Sequence, residues 1–166
     1  MARREGPRLY IVICLSMLRL VRTDSTNSDF QSLVKLLDQD LRIRDGEDHA
    51  FYAQFNKIDA IRHAVVAYDG DAPVGCGAFK QYDPGTVEIK RMFVLPTHRG
   101  QGVAAALLAE LEGWAQEQGY TATVLETGLK QPEAIRLYEK SRYARIPNYG
   151  QYAGVENSVC MQKQLG

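Results

Sequence analysis

Residues 92–112, "MFVLPTHRGQGVAAALLAELE", place an apolar run, a proline, an Arg-Gly-Gln-Gly turn and an alanine/leucine-rich segment in direct succession. The apolar run reads as a strand ending at Val94 or Leu95, because Pro96 lacks the donor that a ladder needs. Gly100 and Gly102 let backbone amides approach a ligand with no Cβ in the way. The segment after them reads as helix, and a helix N-terminus offers unpaired N–H groups and about half a positive charge. Arg99 adds a guanidinium shaped for phosphate oxygens. The chemistry of the stretch is binding of a phosphate or pyrophosphate, set against the plain alternative of a glycine turn that only starts a surface helix.

Two ligand types compete for such a turn. "GQGVAA" satisfies the relaxed dinucleotide fingerprint G-x-G-x-x-A, and Glu126 falls where a ribose-binding acid would stand in a dinucleotide-binding oxidoreductase. Against that reading, Leu95, Pro96, Thr97, His98 and Arg99 separate the strand from the first glycine. The preceding strands also read as antiparallel, and about 40 residues after Glu126 are too few to complete a doubly wound sheet. A P-loop is excluded, since no Gly-Lys-Ser/Thr closes the turn.

The elements that position this turn follow from periodicity and breakers. "MLRLVRT" (17–23) reads as a first strand. "DSTNSDFQSLVKLLDQDLRIRDG" opens on capping residues, spaces Phe30, Leu33, Val34, Leu36, Leu37 and Leu41 helically, and stops at Asp45-Gly46. "EDHAFYAQFNKIDA" predicts a second, shorter helix. Residues 62–83 hold two β-rich runs around Asp-Gly-Asp, a hairpin signal, and 85–95 a third run, so these three strands are expected to be antiparallel. A helix from Gly100 to about Gln118 ends at Gly119, and its crossover length makes the next strand, "TATVLET", parallel to the one before. "QPEAIRLYEKS" is a further helix with Pro132 in its first turn, and "YARI" and "NSVCMQKQL" are closing strands around the polar loop "PNYGQYAGVE".

Length and charge bound the partners. A chain of 166 residues, 45% hydrophobic, makes one globular domain with an adequate core. Twenty Lys+Arg against twenty Asp+Glu leave no basic excess for nucleic acid. Cys14, Cys76 and Cys160 form no disulfide framework and no Cys-x-x-Cys site, which fits a reducing cytoplasm and small buried hydrophobes. "MARREGPRLYIVICLSML" has the outline of a signal peptide, but Arg19 and Arg22 interrupt its apolar run before the roughly 18 residues a membrane span needs. Residues 1–16 are therefore expected to be an N-terminal extension, with one domain over 17–166 and no membrane contact. His49, His63 and His98 lack metal-ligand spacing, and no metal is expected.

"RGQGVA", residues 99–104, resembles the Arg/Gln-x-x-Gly-x-Gly/Ala signature of the GNAT superfamily of acetyl-CoA-dependent N-acetyltransferases, and "VEIKRMFV" resembles that family's fourth strand. "VLETGLKQPEAIRLYEKSRYARI" is similar to its fifth strand, fourth helix and sixth strand. The resemblance implies an α/β (α+β) acyl-CoA N-acyltransferase fold, with a mixed sheet of six to seven strands and about four helices. It also implies acetyl transfer to a primary amine of a small molecule by direct attack in a ternary complex. A non-catalytic acetyl-CoA sensor or scaffold of the same fold is the alternative. Many relatives are dimers, so a homodimer is a family-level expectation.

Site residues carry over by position. The signature turn, Arg99, Gly100, Gln101, Gly102, Val103 and Ala104, takes the CoA pyrophosphate, and main-chain groups of Met92, Phe93 and Val94 take the pantetheine arm and polarise the thioester carbonyl. Gln131 stands where asparagine is common, so its contact to the CoA arm reaches from a longer side chain. Tyr138 falls where the family presents a phenol to the CoA sulfur. Glu88 stands where some members keep a glutamate that deprotonates the amine, and strand alternation puts Glu88, Lys90 and Met92 on one face. Glu126 and Glu156 are further candidates for base or amine anchor. The acceptor wall is expected from Asp45, Glu47, Asp48, His49, Tyr52, Tyr149, Tyr152 and Glu156, whose carboxylates and aromatic faces suit a cationic amine: an amino acid, a polyamine or an amino sugar.

Overall fold

The computed structural model describes residues 18–54 and 61–166. The chain alternates strands β1 (Leu18–Thr23), β2 (His63–Asp69), β3 (Ala72–Asp83), β4 (Thr86–Val94), β5 (Ala122–Gly128), β6 (Ala144–Ile146) and β7 (Ser158–Gln164) with helices α1 (Ser28–Asp45), α2 (His49–Ala53), α3 (Val103–Glu117) and α4 (Pro132–Lys140). The strands form one seven-stranded sheet in the order β1-β2-β3-β4-β5-β7-β6. This mixed α/β arrangement is the one the sequence implied. β1 to β4 pair antiparallel, and β4 and β5 pair in parallel across the α3 crossover. β7 inserts between β5 and β6, antiparallel to both.

Each helix forms for local reasons. The Asn27 side chain accepts from the Phe30 amide at 2.9 Å and caps α1, and Gly46 at φ 56° ends it. The predicted helix over 47–60 is broken: a 3-10 turn spans Gly46–Asp48, α2 follows, and residues 55–60 lie outside the described residues. The expected extension over 1–16, with Cys14, also lies outside them. Two apolar layers sandwich the sheet. α1 buries Phe30, Leu33, Val34 and Leu37 against Ala64, Val66, Cys76 and Ala78 on one face. α3 buries Leu107, Leu108 and Leu111 against Val65, Phe79, Val87 and Ile89 on the other. Each such large side chain removed from water contributes about 1.5–3 kcal/mol.

Two irregularities shape the centre of the sheet. The β3–β4 register jumps from Ala78↔Lys90 to Cys76↔Phe93, so Arg91 and Met92 together oppose Gly77. Arg91 adopts φ 60°, the conformation a β-bulge uses to insert its extra residue. The bulge corrects the expected alternation. Glu88 and Lys90 stay on the α1 face, whereas Met92 turns to the α3 face, close enough that a Cβ on Gly77 would lie 2.4 Å from its sulfur. The second irregularity is a split: β4 and β5 pair only over Thr86↔Ala122, Val87↔Thr123 and Glu88↔Val124. Beyond Glu88 the two strands diverge.

Candidate active site

The divergence opens a cavity of about 500 Å³ whose wall runs from the start of α3, along β4, to the strand centre at Glu88 and Glu126. Its α3 end is the turn singled out by sequence. A 3-10 turn, Pro96–His98, leads from β4 to Gly100 at φ 73° and Gly102 at φ 82°. α3 begins at Val103 rather than Gly100, and Gly102 gives its first turn no side-chain cap. The first amides of the helix are thus left for a ligand or water. Nothing lies within 4 Å of where a Cβ would stand on either glycine, so their requirement is conformational, not steric. Gly100, Gly102, Val103 and Ala104 line the cavity. Gln101 does not, and its side chain instead donates to the Thr97 carbonyl at 3.4 Å. The Arg99 side chain folds back, its Nε donating to the Val94 carbonyl at 2.9 Å and its guanidinium lying over Phe93.

Met92, Phe93 and Val94 line the middle of the cavity, on the stretch of β4 that has no ladder partner toward β5. Arg91 is buried on the α1 face and ion-pairs with Asp38, which ties the bulge to α1. Arg136 and Lys140, one turn apart on α4, add exposed cations to the lining. Sequence reasoning passed over them, although their i, i+4 spacing on the Tyr138 helix was a usable signal. Tyr138 is buried, reaches the cavity from α4, and burial raises its phenol well above the ordinary value. At neutral pH it is a proton-bearing donor. Gln131 precedes the first residue of α4 and also lines the cavity.

At the β4–β5 centre, two carboxylates with different surroundings face the α1 side. Glu88 is buried, accepts from the Tyr149 hydroxyl at 2.6 Å, and lies 3.6 Å from Lys90 Nζ and 3.8 Å from Lys80 Nζ. Glu126 is pushed up to about 7, chiefly by burial; the Ser158 hydroxyl and Lys90 act against that push, while Asp45 and Glu88 add to it. Tyr52 and Tyr152 line the cavity beside them, with phenols raised chiefly by burial. Asp45 also lines it, its carboxyl likewise raised by burial.

Other expected acceptor residues lie outside the cavity. Tyr149 reaches the site through its bond to Glu88 and its edge-on packing against Tyr152 at 5.9 Å. Asp48 accepts from Asn157 at 2.9 Å and sits 3.6 Å from Lys130 Nζ, holding the α1–α2 connection to the far side of the site. His49 is half-buried with an unpartnered Nδ1, and Glu47 and Glu156 are exposed. His63 stacks on Phe79 at 4.6 Å, and His98 bonds Asp69 at 3.0 Å. Among the described residues no group of three His, Cys, Asp or Glu could hold a metal.

A family model, the acetyltransferase (GNAT) family, matches residues 30–142. The chain belongs to the GNAT family. An IAA acetyltransferase of Azospirillum brasilense is 39% identical over 102 residues, 61% of this chain and 67% of that one. A solved Klebsiella pneumoniae protein assigned to the acyl-CoA N-acyltransferases superposes with a TM-score of 0.77 at 28% identity, covering 91% of this chain and 99% of that one. A Salmonella typhimurium protein solved with its cofactor acetyl-CoA shares the fold at a TM-score of 0.64 and 18% identity, covering 90% and 95% of the two chains. The protein is thus a GNAT N-acetyltransferase of the fold that uses acetyl-CoA. Membership removes the dinucleotide reading, and so does the fold: β3 and β4 are antiparallel, and a 3-10 turn precedes Gly100.

Proposed function

We propose that this GNAT enzyme transfers the acetyl group of acetyl-CoA to a primary amine of a small molecule, an amino acid, polyamine or amino sugar, by direct attack in a ternary complex. The observation that carries the reading is the continuity of one cavity from the α3 amides, past the unpaired edge of β4, to Glu88 and Glu126. When bound, acetyl-CoA supplies an activated acyl carbon. The amides of Gly100, Gly102, Val103 and Ala104 hold its pyrophosphate, with Arg136 and Lys140 complementing the phosphate charge. Main-chain groups of Met92, Phe93 and Val94 pair with its arm as an added strand, a mode for which β4 keeps a free edge. Gln131 supports the same arm, and Tyr138 donates its hydrogen to the sulfur as charge develops there.

The acceptor enters from the α1 side, between Tyr52, Tyr152 and the carboxylates. Glu126 removes the ammonium proton, because a carboxyl near 7 is matched to that task at neutral pH. Glu88, the candidate from strand position, is instead engaged by the Tyr149 hydroxyl and by two lysines. The test is thiol release from acetyl-CoA with an alkyl amine, an amino acid, a polyamine and an amino sugar. Turnover with at least one, and its loss in Glu126→Gln with retained thermal stabilisation by acetyl-CoA, supports the reading. Stabilisation by acetyl-CoA with no turnover on any amine points to the non-catalytic sensor or scaffold.

A further inference from the structure

α1 ends on a charge of the wrong sign. A helix C-terminus carries a partial negative charge that favours cations, and Arg42 and Arg44 supply them in the last turn, yet the final residue is Asp45. Asp45 is only 7% exposed and lines the cavity. It gives the 3-10 turn that follows no side-chain cap, and Lys130 Nζ donates at 3.3 Å to its carbonyl, not to its carboxyl. Among the described residues the Asp45 carboxyl makes no hydrogen bond and no ion pair. A carboxyl buried in that way works against folding, and a cationic ligand would offset the cost.

The segment that carries Asp45 is fixed over the acceptor end. Arg44 ion-pairs with Glu133 of α4, Asp48 meets Lys130 and Asn157, and the Tyr52 hydroxyl lies 3.0 Å from Ser158 Oγ. Ser158 stands opposite Gly128 of β5, and Glu126 lies on the same face of β5 as Gly128. Asp45 and Glu126 therefore reach one cavity from two walls, α1 and β5. Among the described residues the cations of this end are engaged. Lys80 and Lys90 lie 3.8 and 3.6 Å from Glu88, Arg91 pairs with Asp38, and Arg44 pairs with Asp40 as well as Glu133. The charge left unmatched is negative, and it stands at two places.

We propose that Asp45 is a specificity-determining residue that holds the second ammonium group of a diamine acceptor while the first meets Glu126. This assignment rests on Glu126 being the base for the reacting amine. It selects, among the small amines open to the enzyme, an alkane chain with a cation at each end. Leu37 and Leu41 of α1 give that chain apolar surface, and Tyr52 and Tyr152 give its cations aromatic faces. The α1 terminus adds its own partial negative charge to that of Asp45. An amino acid would instead bring a carboxylate to lysines and an arginine that are already paired, and an amino sugar would leave Asp45 without a cation. Burial raises the Asp45 carboxyl, with Asp48 adding to the rise and His49 and Lys130 opposing it. An ammonium group beside it draws it back toward the ionised form.

The experiment is a calorimetric titration of the full chain, with CoA present, by α,ω-diaminoalkanes and by the n-alkylamines and ω-amino acids of the same chain lengths. CoA has no acetyl group to transfer, so the readout does not depend on turnover. The diamine is expected to bind at least about tenfold more tightly than the monoamine, the equivalent of one hydrogen bond to a charged group, and the ω-amino acid more weakly than either. Asp45→Asn keeps the shape and removes the charge. It is expected to bring the diamine down to the affinity of the monoamine while keeping or raising Tm without ligand, and Asp45→Ser gives the same readout if Asp45→Asn does not fold. Equal affinity for diamine and monoamine in wild type, or a diamine advantage that survives loss of the carboxyl, overturns the proposal. Diamine binding that depends on Asp45, with no thiol release from acetyl-CoA, upholds it and defeats the transfer reading instead.

Discussion

Alanine at Gly77 and alanine at Gly113 should change stability in opposite directions, and the difference measures how tightly the β4 bulge is packed. Gly77 lies on β3 opposite Arg91 and Met92. A Cβ there would come 2.4 Å from Met92 Sδ and 2.8 Å from Leu111 Cδ1, both inside the 3.0 Å that real Cβ atoms respect. Met92 can swing, but Leu111 is fully buried in α3, so the strand or the helix must shift. Overpacking of this kind costs about 1–3 kcal/mol. At about 2–4 °C per kcal/mol for a chain of this size, Gly77→Ala should lower Tm by roughly 2–12 °C. Gly113 sits inside α3 with a negative φ, and a Cβ added to it would meet nothing within 4 Å. Alanine there restricts the unfolded chain and favours helix, so Tm should rise by roughly 1–4 °C, from about 0.4–1 kcal/mol. Thermal unfolding of the two variants followed by circular dichroism checks both. A Gly77→Ala Tm at or above wild type, or a Gly113→Ala fall as large as that of Gly77→Ala, would refute the packing argument.

Two further outcomes follow from buried ionisable groups. Tyr138→Phe keeps the ring that packs edge-on against Tyr143 at 5.7 Å but removes the donor, so kcat for acetyl transfer should fall by about 10²-fold or more with little change in Tm; an unchanged kcat removes the phenol from the reaction. Glu126, raised to about 7 in the fold, contributes stability that is fully present below its unfolded value, near 4.3, and is lost as pH rises through 7. Glu126→Gln has no such loss, so its Tm should gain on wild type between pH 5 and pH 8; a Tm difference that does not vary with pH contradicts the raised carboxyl.

The turn at residues 99–104 was legible in the sequence because its signals are local: a proline stop, two glycines and a helical run. The β2–β3 hairpin and the parallel β4–β5 crossover were legible for the same reason, through turn residues and connection length. The bulge at Arg91 was not. "VEIKRMFV" carries no glycine, and a non-glycine residue holds φ 60° only because burial and the Asp38 pair fix it, which is tertiary information. That single inserted residue moved Met92 from the Glu88 face to the α3 face. The Tyr52–Ser158 bond was equally hidden, since the two residues are 106 apart in the chain and meet through the placement of β7 beside β5. The sequence named Glu88 and Glu126 together, but which of them meets Tyr149 and two lysines and which is raised depends on neighbours that only the fold brings together.

The proposed acetyl-CoA site draws on main-chain groups, so amide hydrogen exchange with and without acetyl-CoA reads it without an acceptor or a substitution. Protection on acetyl-CoA binding is expected to concentrate at Met92 to Val94 and at Gly100 to Ala105, with NAD producing none. Protection that spares both stretches, or that NAD reproduces there, would contradict the assignment of this cavity to acetyl-CoA.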